Sequence, residues 1–393
     1  MIPLDYGRVL DALPDTSPAD LLALLAALAE PLGPRDVRVY LADFQGVVLQ
    51  PALVAGGDHG VEPEDVATSM AGRAFRTGSP VVAEREDGVR VWVPLVERGE
   101  RTGVLALTVP AADEEVLGAC VRLGRFGGLL VRSFARTTDL FHLHRRRQTM
   151  TLAAGMQWDL LPPLTVRSAH ALVCGRLEPA YRIAGDAFDY ALNDAQLEAG
   201  LFDGMGHGVH STLMTALAVG AYRHSRRSDN ELPAIHAAVD EAVAAQYCGE
   251  AFVTAALARL HLEEGMLEWS LAGHPAPLLL REHGVVRELA CEPSLPLGLG
   301  GSCRGVGAEQ LEPGDCVLFY TDGVVEGRSP AGEEFGVERL VERWEHHAAS
   351  DLEADEVLRR LVDDVLVHNA RTLRDDASLM LLRWAGSGPS AHS

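Results

Sequence analysis

Two apolar runs far apart in the chain close on the same signal, an aspartate followed by glycine. One is "LEAGLFDG" at 197–204 and the other is "DCVLFYTDG" at 315–323. Beyond the first, glycines recur at 206 and 208, although glycine loses more conformational freedom on ordering than any other residue. A single Asp-Gly at a strand end reads as a turn. Here the signal repeats, and two further segments, "IAGDAFDY" at 183–190 and "RDDASLMLLRW" at 374–384, also set acids against strand-like runs. If these strands are neighbours, their carboxylates converge at one edge of a sheet structure. That requirement constrains the fold more than any other feature of the sequence.

The elements along the chain alternate in a way that suits an α+β protein. Residues 19–30 have helical periodicity behind the capping cluster "DTSP", and "VRVYLA" at 37–42 reads as a strand. "DVATSMAGRAFRTGSPVV" reads as a helix ending near Gly78, and the strand-like runs 89–96 and 103–109 flank "ERGERTG", a hairpin signal. These make a small α+β module over residues 1–111. From 112 to 164 the pattern is helical. Val116, Cys120, Leu123, Leu130, Phe134 and Phe141 fall on alternating three- and four-residue spacings with Gly127 and Thr137 in the gaps, the seam of a helix that packs on another, as in a coiled-coil homodimer. Gly124, Gly127 and Gly128 lie inside it, where glycine weakens a helix. "LLPPL" at 160–164 stops the helix. Strands and helices then mix over 165–385, with helices expected at "STLMTALAVGAYRHS", "ELPAIHAAVDEAVAAQY" and roughly 337–369, and strands at "FVTAALARLHL", "MLEWSLAG", "APLLLRE", "CVLFYTDG" and "ASLMLLRW". Residues 386–393 have the composition of a disordered tail.

Composition removes several function classes. The formal charge of −22 opposes nucleic acid, which needs a cationic footprint, and opposes docking to anionic membrane surfaces. The chain contains no lysine, so all 34 basic residues are arginine; a Walker A loop, a kinase strand lysine and a Schiff-base lysine are thereby excluded. None of the six cysteines falls in a CxxC pair, so neither a zinc ribbon nor a dithiol redox motif is present, and scattered thiols suit a reducing, cytoplasmic compartment. The apolar window 21–32 is too short to span a bilayer and ends at Pro31.

The chemistry therefore rests on acids. Carboxylates brought together raise one another's pKa and are tolerable together when a cation sits between them. Oxygen-only ligands point to a hard ion, magnesium or manganese. Two ions bridged by one carboxylate lower the pKa of a bound water and stabilise a phosphoryl oxygen. Glycine after the acid lets a main-chain carbonyl reach the ion, an explanation for Gly204. His207 and His210 stand three apart, as a ligand pair could, but His207 reads as a turn residue, His210 as a helix start and His274 of "AGHPAP" as a loop residue.

The order of "IAGDAFDY", "LFDGMGHG", "FVTAALARLHLEEGMLEWSLAGHPAPLLL", "LPLGL", "LEPGDCVLFYTDGVVEGRSPAGEEFGVERL" and "RDDASLMLL" resembles the PPM-type, metal-dependent serine/threonine phosphatases of the SpoIIE/RsbU branch. The resemblance implies an αββα sandwich of two antiparallel sheets, a phosphoprotein phosphatase activity and two Mn or Mg ions. Carried over residue by residue, Asp203 bridges the ions and the Gly204 carbonyl joins one of them. Asp186 serves the second ion, directly or through water, and Asp322 and Asp375 complete the first, with Asp376 the alternative to Asp375. The same acids Asp186, Asp203, Asp322 and Asp375 are then the catalytic set. The branch implies a phosphorylated anti-sigma-factor antagonist as substrate. Residues 1–111 resemble a GAF-type sensor with an unknown signal, relayed through the helical connector. The rival reading is a catalytically inactive, phosphatase-like sensor or docking protein.

Overall fold

The structure, a computed structural model, describes residues 2–54, 61–182, 185–281, 285–350 and 352–387. Ala184, and the tail from 388 onward, lie outside the described residues. The chain forms two compact units, Met1–Thr149 and Met150–Ser393. Among the described residues no helix is long and apolar enough to cross a membrane.

The first unit opens with α1 (Tyr6–Ala12) and α2 (Leu21–Ala29), followed by β1 (Val37–Ala42), β2 (Val48–Val54), β3 (Glu64–Asp65), α3 (Met70–Thr77), β4 (Val81–Arg85), β5 (Gly88–Glu97) and β6 (Glu100–Val109). The six strands form one antiparallel sheet in the order β3-β2-β1-β6-β5-β4, consistent with a GAF-like fold. The expected hairpin is β5–β6, turned by Arg98 and Gly99 with φ of 48° and 94°; two adjacent left-handed residues give the turn the twist its strands need. The expected helix is α3, capped by the Ser69 hydroxyl, which accepts from the Gly72 N–H at 2.9 Å, and stopped by Gly78 at φ 65°.

The helical stretch after it divides into α4 (Glu114–Ala135), α5 (Leu140–Arg145) and α6 (Leu152–Leu160), and only α6 belongs to the second unit. Cys120, Leu123 and Leu130 of the seam are buried in the core of the first unit with Leu25 and Leu95. The seam expected to face a second copy is thus covered by the chain's own sheet. The interior glycines explain the arrangement. A Cβ on Gly124 would lie 2.7 Å from the Pro94 carbonyl oxygen, and one on Gly128 would lie 2.8 Å from the Val96 nitrogen. Glycine here lets α4 lie directly on β5.

The second unit continues with β7 (Thr165–Arg167), β8 (Ala171–Glu178), β9 (Asp186–Leu192), β10 (Gln196–Gly204), α7 (Val209–Arg226), α8 (Leu232–Tyr247), β11 (Val253–His261), β12 (Met266–Ala272), β13 (Leu278–Arg281), β14 (Val285–Glu288), β15 (Gly307–Gln310), β16 (Cys316–Tyr320), α9 (Asp322–Val325), α10 (Val337–Ala348), α11 (Ala354–His368) and β17 (Ala377–Trp384). Two antiparallel sheets result, β15-β12-β11-β10-β9 and β14-β13-β16-β17-β8-β7. Between them lies a core of Phe188, Leu201, Ala256, Phe319, Met380 and Leu382. The outer face of the first sheet buries Phe202, Val253 and Leu257 under Met214, Tyr222 and Val239 of α7 and α8. The outer face of the second buries Leu318, Leu379 and Leu381 under Leu340, Trp344 and Leu358 of α10 and α11. Each such large side chain contributes roughly 1.5–3 kcal/mol by leaving water. The architecture is the expected αββα sandwich.

Candidate active site

Antiparallel pairing sets the acids side by side. Asp203, near the end of β10, lies opposite Asp186 at the start of β9 on one side and opposite Thr254 of β11 on the other. In the second sheet β16 pairs with β17, so Asp322, just past β16, and Asp375 and Asp376, just before β17, share one end. Hydrogen bonds join these ends of the two sheets. The Asp186 N–H donates to Asp376 Oδ2 at 3.1 Å, and the Thr321 hydroxyl donates to Asp186 Oδ2 at 2.8 Å. The Ser378 N–H returns to Thr321 Oγ1 at 3.0 Å. Gln157 of α6 spans the joint, with Nε2 donating to the Asp186 carbonyl at 2.7 Å and to Asp376 Oδ2 at 3.3 Å.

The loop after β10 answers why glycines crowd Asp203. A Cβ on Gly204 would lie 2.4 Å from Thr215 Oγ1 and 2.7 Å from Ser211 Oγ. The missing side chain admits the first turns of α7, whose Ser211 hydroxyl donates to the Gly204 carbonyl at 2.8 Å and whose Thr215 hydroxyl donates to the Gly185 carbonyl at 2.5 Å. The Gly204 carbonyl keeps a second lone pair. Gly206 and Gly208, both at φ 83°, turn the chain into α7.

The gathered charge shifts the acids upward. Burial, and then the charges of Asp322 and Asp375, push the Asp203 carboxyl up to about 7, while a hydrogen bond with the Asp186 carboxyl opposes the rise. Asp186 is held well above the carboxylate range by burial and then by Asp203 and Asp376. Burial is also the leading cause at Asp376, pushed up to about 7, and at Asp322, where Glu326 and Asp375 add to it. Asp186 and Asp376 are buried, Asp203 and Asp322 half-buried and Asp375 exposed. Asp376 Oδ1 is buried without a hydrogen-bond partner.

These residues are gathered at one edge without being closed around a point: among the described residues, no three His, Cys, Asp or Glu side chains form a group that could hold an ion as it stands. The donor set still suits a hard divalent cation, being carboxylate and carbonyl oxygen with one buried oxygen unsatisfied. His207 and His210 are both exposed, and His210 stacks edge-on against Tyr247. His274 is buried, with Nδ1 2.8 Å from Thr254 Oγ1, and burial pushes its imidazole down to about 3. Asp189 is held by Arg223 at 2.7 Å and by Arg226, which ties α7 to β9. Gln157, Thr321, Ser211 and Thr215 were not singled out by sequence; a polar Gln157 among apolar neighbours in "LAAGMQWDL" is the one visible signal.

The family of Stage II sporulation protein E (SpoIIE) matches residues 193–385, which take in Asp203, Asp322, Asp375 and Asp376. Residues 193–385 are a SpoIIE-type PP2C phosphatase domain. Phosphoserine phosphatase RsbU of Bacillus subtilis is 24% identical to the chain over 242 residues, which cover 60% of this chain and 70% of RsbU. Protein IcfG of Synechocystis is 26% identical over 109 residues, 28% of this chain and 17% of IcfG. The SpoIIE-type domain has the fold of the SiaA-PP2C domain of Pseudomonas aeruginosa, with a TM-score of 0.50 at 22% identity over 59% of this chain and 94% of that one. The RsbU and RsbW domains of Rv1364c from Mycobacterium tuberculosis give a TM-score of 0.50 at 24% identity, over 56% of this chain and 63% of that one. The chain thus spans less than two thirds of the Rv1364c structure, and its N-terminal unit lies outside the SpoIIE match.

Proposed function

We propose that this chain is a metal-dependent phosphoprotein phosphatase acting on phosphoserine or phosphothreonine. One observation carries the reading: five carboxyl groups from two sheets, Asp186, Asp203, Asp322, Asp375 and Asp376, are held at one edge against their mutual repulsion. Structural ion pairs bring opposite charges together, as Asp189 and Arg223 do; like charges gathered and buried call for a cation. Two manganese or magnesium ions would supply a water of lowered pKa and would offset the charge that develops on the phosphoryl oxygens.

In this reading Asp203 and the Gly204 carbonyl would hold the ions together with Asp186, Asp322 and Asp375. Asp376 is placed further in, where its carboxyl receives the Asp186 N–H and fixes the distance between β9 and β17. Ser211 and Thr215 keep the loops bearing Asp203 and Asp186 from springing apart when the acids ionise. The substrate is a phosphorylated partner of the anti-sigma-factor antagonist kind, a reading supported by the similarity to RsbU. The N-terminal unit is the regulatory part.

The purified chain should hydrolyse p-nitrophenyl phosphate and a phosphoserine peptide in the presence of manganese. Asp203→Asn should abolish both while circular dichroism stays unchanged. Hydrolysis retained by that variant refutes the reading, and failure of the wild type to bind manganese in calorimetry favours the docking-protein alternative.

A further inference from the structure

Asp186 and Asp203 stand at the end of the first sheet where β9 and β11 begin and where β10 and β12 close. Two further segments meet at that end. The loop after β10 carries Met205, whose N–H donates to the Phe252 carbonyl at 3.1 Å, and runs on into α7. Residues 293–303 cross the start of β11, where the Leu297 N–H donates to the Val253 carbonyl at 2.8 Å and the Val253 N–H returns to the Leu297 carbonyl at 2.9 Å. Asp240 of α8 pins this second segment, accepting from the Gly298 N–H at 2.8 Å and the Gly300 N–H at 3.2 Å. Neither segment is charged: in a chain of formal charge −22, no Asp, Glu or Arg falls within 204–222 or 293–303. Both leave large apolar side chains in water. Met205, Val209, Leu213, Leu295 and Leu299 are 38–49% exposed, and Val209 and Leu213, one turn apart on α7, share a face. Apolar side chains exposed singly need no explanation. These are five of the nine large ones exposed among the described residues of the second unit, and they collect beside the acids.

We propose that this uncharged shelf receives the polypeptide flanking the substrate's phosphorylated residue and selects substrates whose flanking residues are apolar, an inference that rests on the phosphatase reading above. A phosphoserine side chain is short. With its phosphate at the acids, the residues on either side, spaced about 3.3–3.6 Å apart when extended, pass over the chain next to Gly204. Met205 is the next residue, and α7 begins four residues further on. Apolar flanks gain there by leaving water and cover the side chains that the free enzyme leaves wet. The occupant is the substrate rather than a second copy of this chain, because a copy seated beside Gly204 would lie across the acidic edge and shut a protein substrate out. Discrimination of this kind appears in kcat/KM.

The test uses manganese-loaded full chains and three esters: a peptide with phosphoserine between pairs of leucines, one with phosphoserine between pairs of serines, and p-nitrophenyl phosphate, which has no flanks. Wild type should cleave the leucine peptide with a kcat/KM about tenfold or more above that for the serine peptide. The double variant Val209→Gln, Leu213→Gln keeps residues that suit a helix. It should lose that preference while cleaving the serine peptide and p-nitrophenyl phosphate as wild type does. Val367→Gln, an exposed apolar position on α11 away from the shelf, should change none of the three rates. Equal cleavage of the two peptides by wild type overturns the proposal, as does a preference that survives in the double variant. A wild-type dimer that the double variant splits in sedimentation equilibrium gives the shelf to a second copy and overturns it too. A wild type that cleaves none of the three esters removes the phosphatase reading itself, and this proposal with it.

Discussion

Asp203→Asn should make the metal-free protein more stable at pH 8 while removing its response to metal. The Asp203 carboxyl ordinarily loses its proton near 3.8 and in the fold keeps it to about 7. Between those values the folded state holds a proton that the unfolded state has released, so this group's contribution to stability falls as pH rises and is lost in full above about 7. A gap of about three pH units at about 1.4 kcal/mol each is on the order of 4 kcal/mol. That belongs to the coupled cluster as a whole, since Asp186 and Asp376 share the same repulsion. For a unit of this size it corresponds to a melting shift of about 10 °C. His274 works in the opposite direction. Its imidazole is pushed down to about 3 from 6.5, so between those values the unfolded state holds the extra proton and stability rises with pH. The quantity to follow is therefore the difference between Asp203→Asn and wild type, in which His274 cancels. Scanning calorimetry of EDTA-stripped protein from pH 4.5 to 8 should show that difference growing from about 2–3 °C to about +10 °C, by the same conversion. Manganese should restore the wild type at pH 8 and leave the variant unmoved. A difference independent of pH, or of opposite sign, refutes the claim that Asp203 is held half-buried among like charges.

The two acids of "RDD" should separate by assay. Asp375→Ala should weaken manganese in a calorimetric titration by tenfold or more, on the order of 1.4 kcal/mol, with only a small effect on metal-free melting, because relief of its repulsion toward Asp203 and Asp322 is offset by loss of the acceptor for the Asp376 N–H. Asp376→Ala should lower melting by leaving the Asp186 N–H buried without an acceptor and the Gln157 amide with the Asp186 carbonyl alone, a loss of about 1–3 kcal/mol. Gly204→Ala should destabilise by about 1–3 kcal/mol in urea melts through its contact with Thr215 and Ser211. Gly128→Ala should also destabilise, although alanine ordinarily gains about 1 kcal/mol over glycine inside a helix. A neutral or stabilising result at 128 would contradict the packing of α4 on β5.

Periodicity and turn chemistry read clearly in the sequence where an element has one wet face or a strong cap. The β5–β6 hairpin and α3 were visible for that reason. Elements shaped by tertiary contacts were not. β2 contains Pro51, which argues against a strand, yet it pairs with β1 where the register shifts between Val39 and Tyr40, an irregularity that accommodates the missing N–H. The seam over 116–134 is a true apolar face, but periodicity says only that such a face will be covered. Glycines at 124, 127 and 128 signal a close backbone approach, which favours the chain's own β5 over the broader side-chain seam of a dimer. In the second unit, strands buried on both faces lose the alternation that reveals orientation. Phe202 looks outward to α7 while Leu201 looks inward, and nothing in "GLFDG" distinguishes them.

At the site, the acids were legible because their chemistry is unusual, while the groups that restrain them were hidden because theirs is ordinary. A serine and two threonines have no signature until the strands are paired, and Gln157 shows only as a polar residue among apolar neighbours. In the structure they make the gathering of charge possible. Thr321 and the Asp186–Asp376 contact tie one sheet to the other, and Ser211 and Thr215 hold two loop carbonyls to α7. Gly204 is then required twice over, once for the hydroxyls that reach it from the helix and once, in the proposed chemistry, for a carbonyl oxygen turned toward an ion. The first requirement holds with no metal bound. It keeps Asp203 and Asp186 in register before a cation binds, so that binding has to close the acids around the ion without re-pairing the strands.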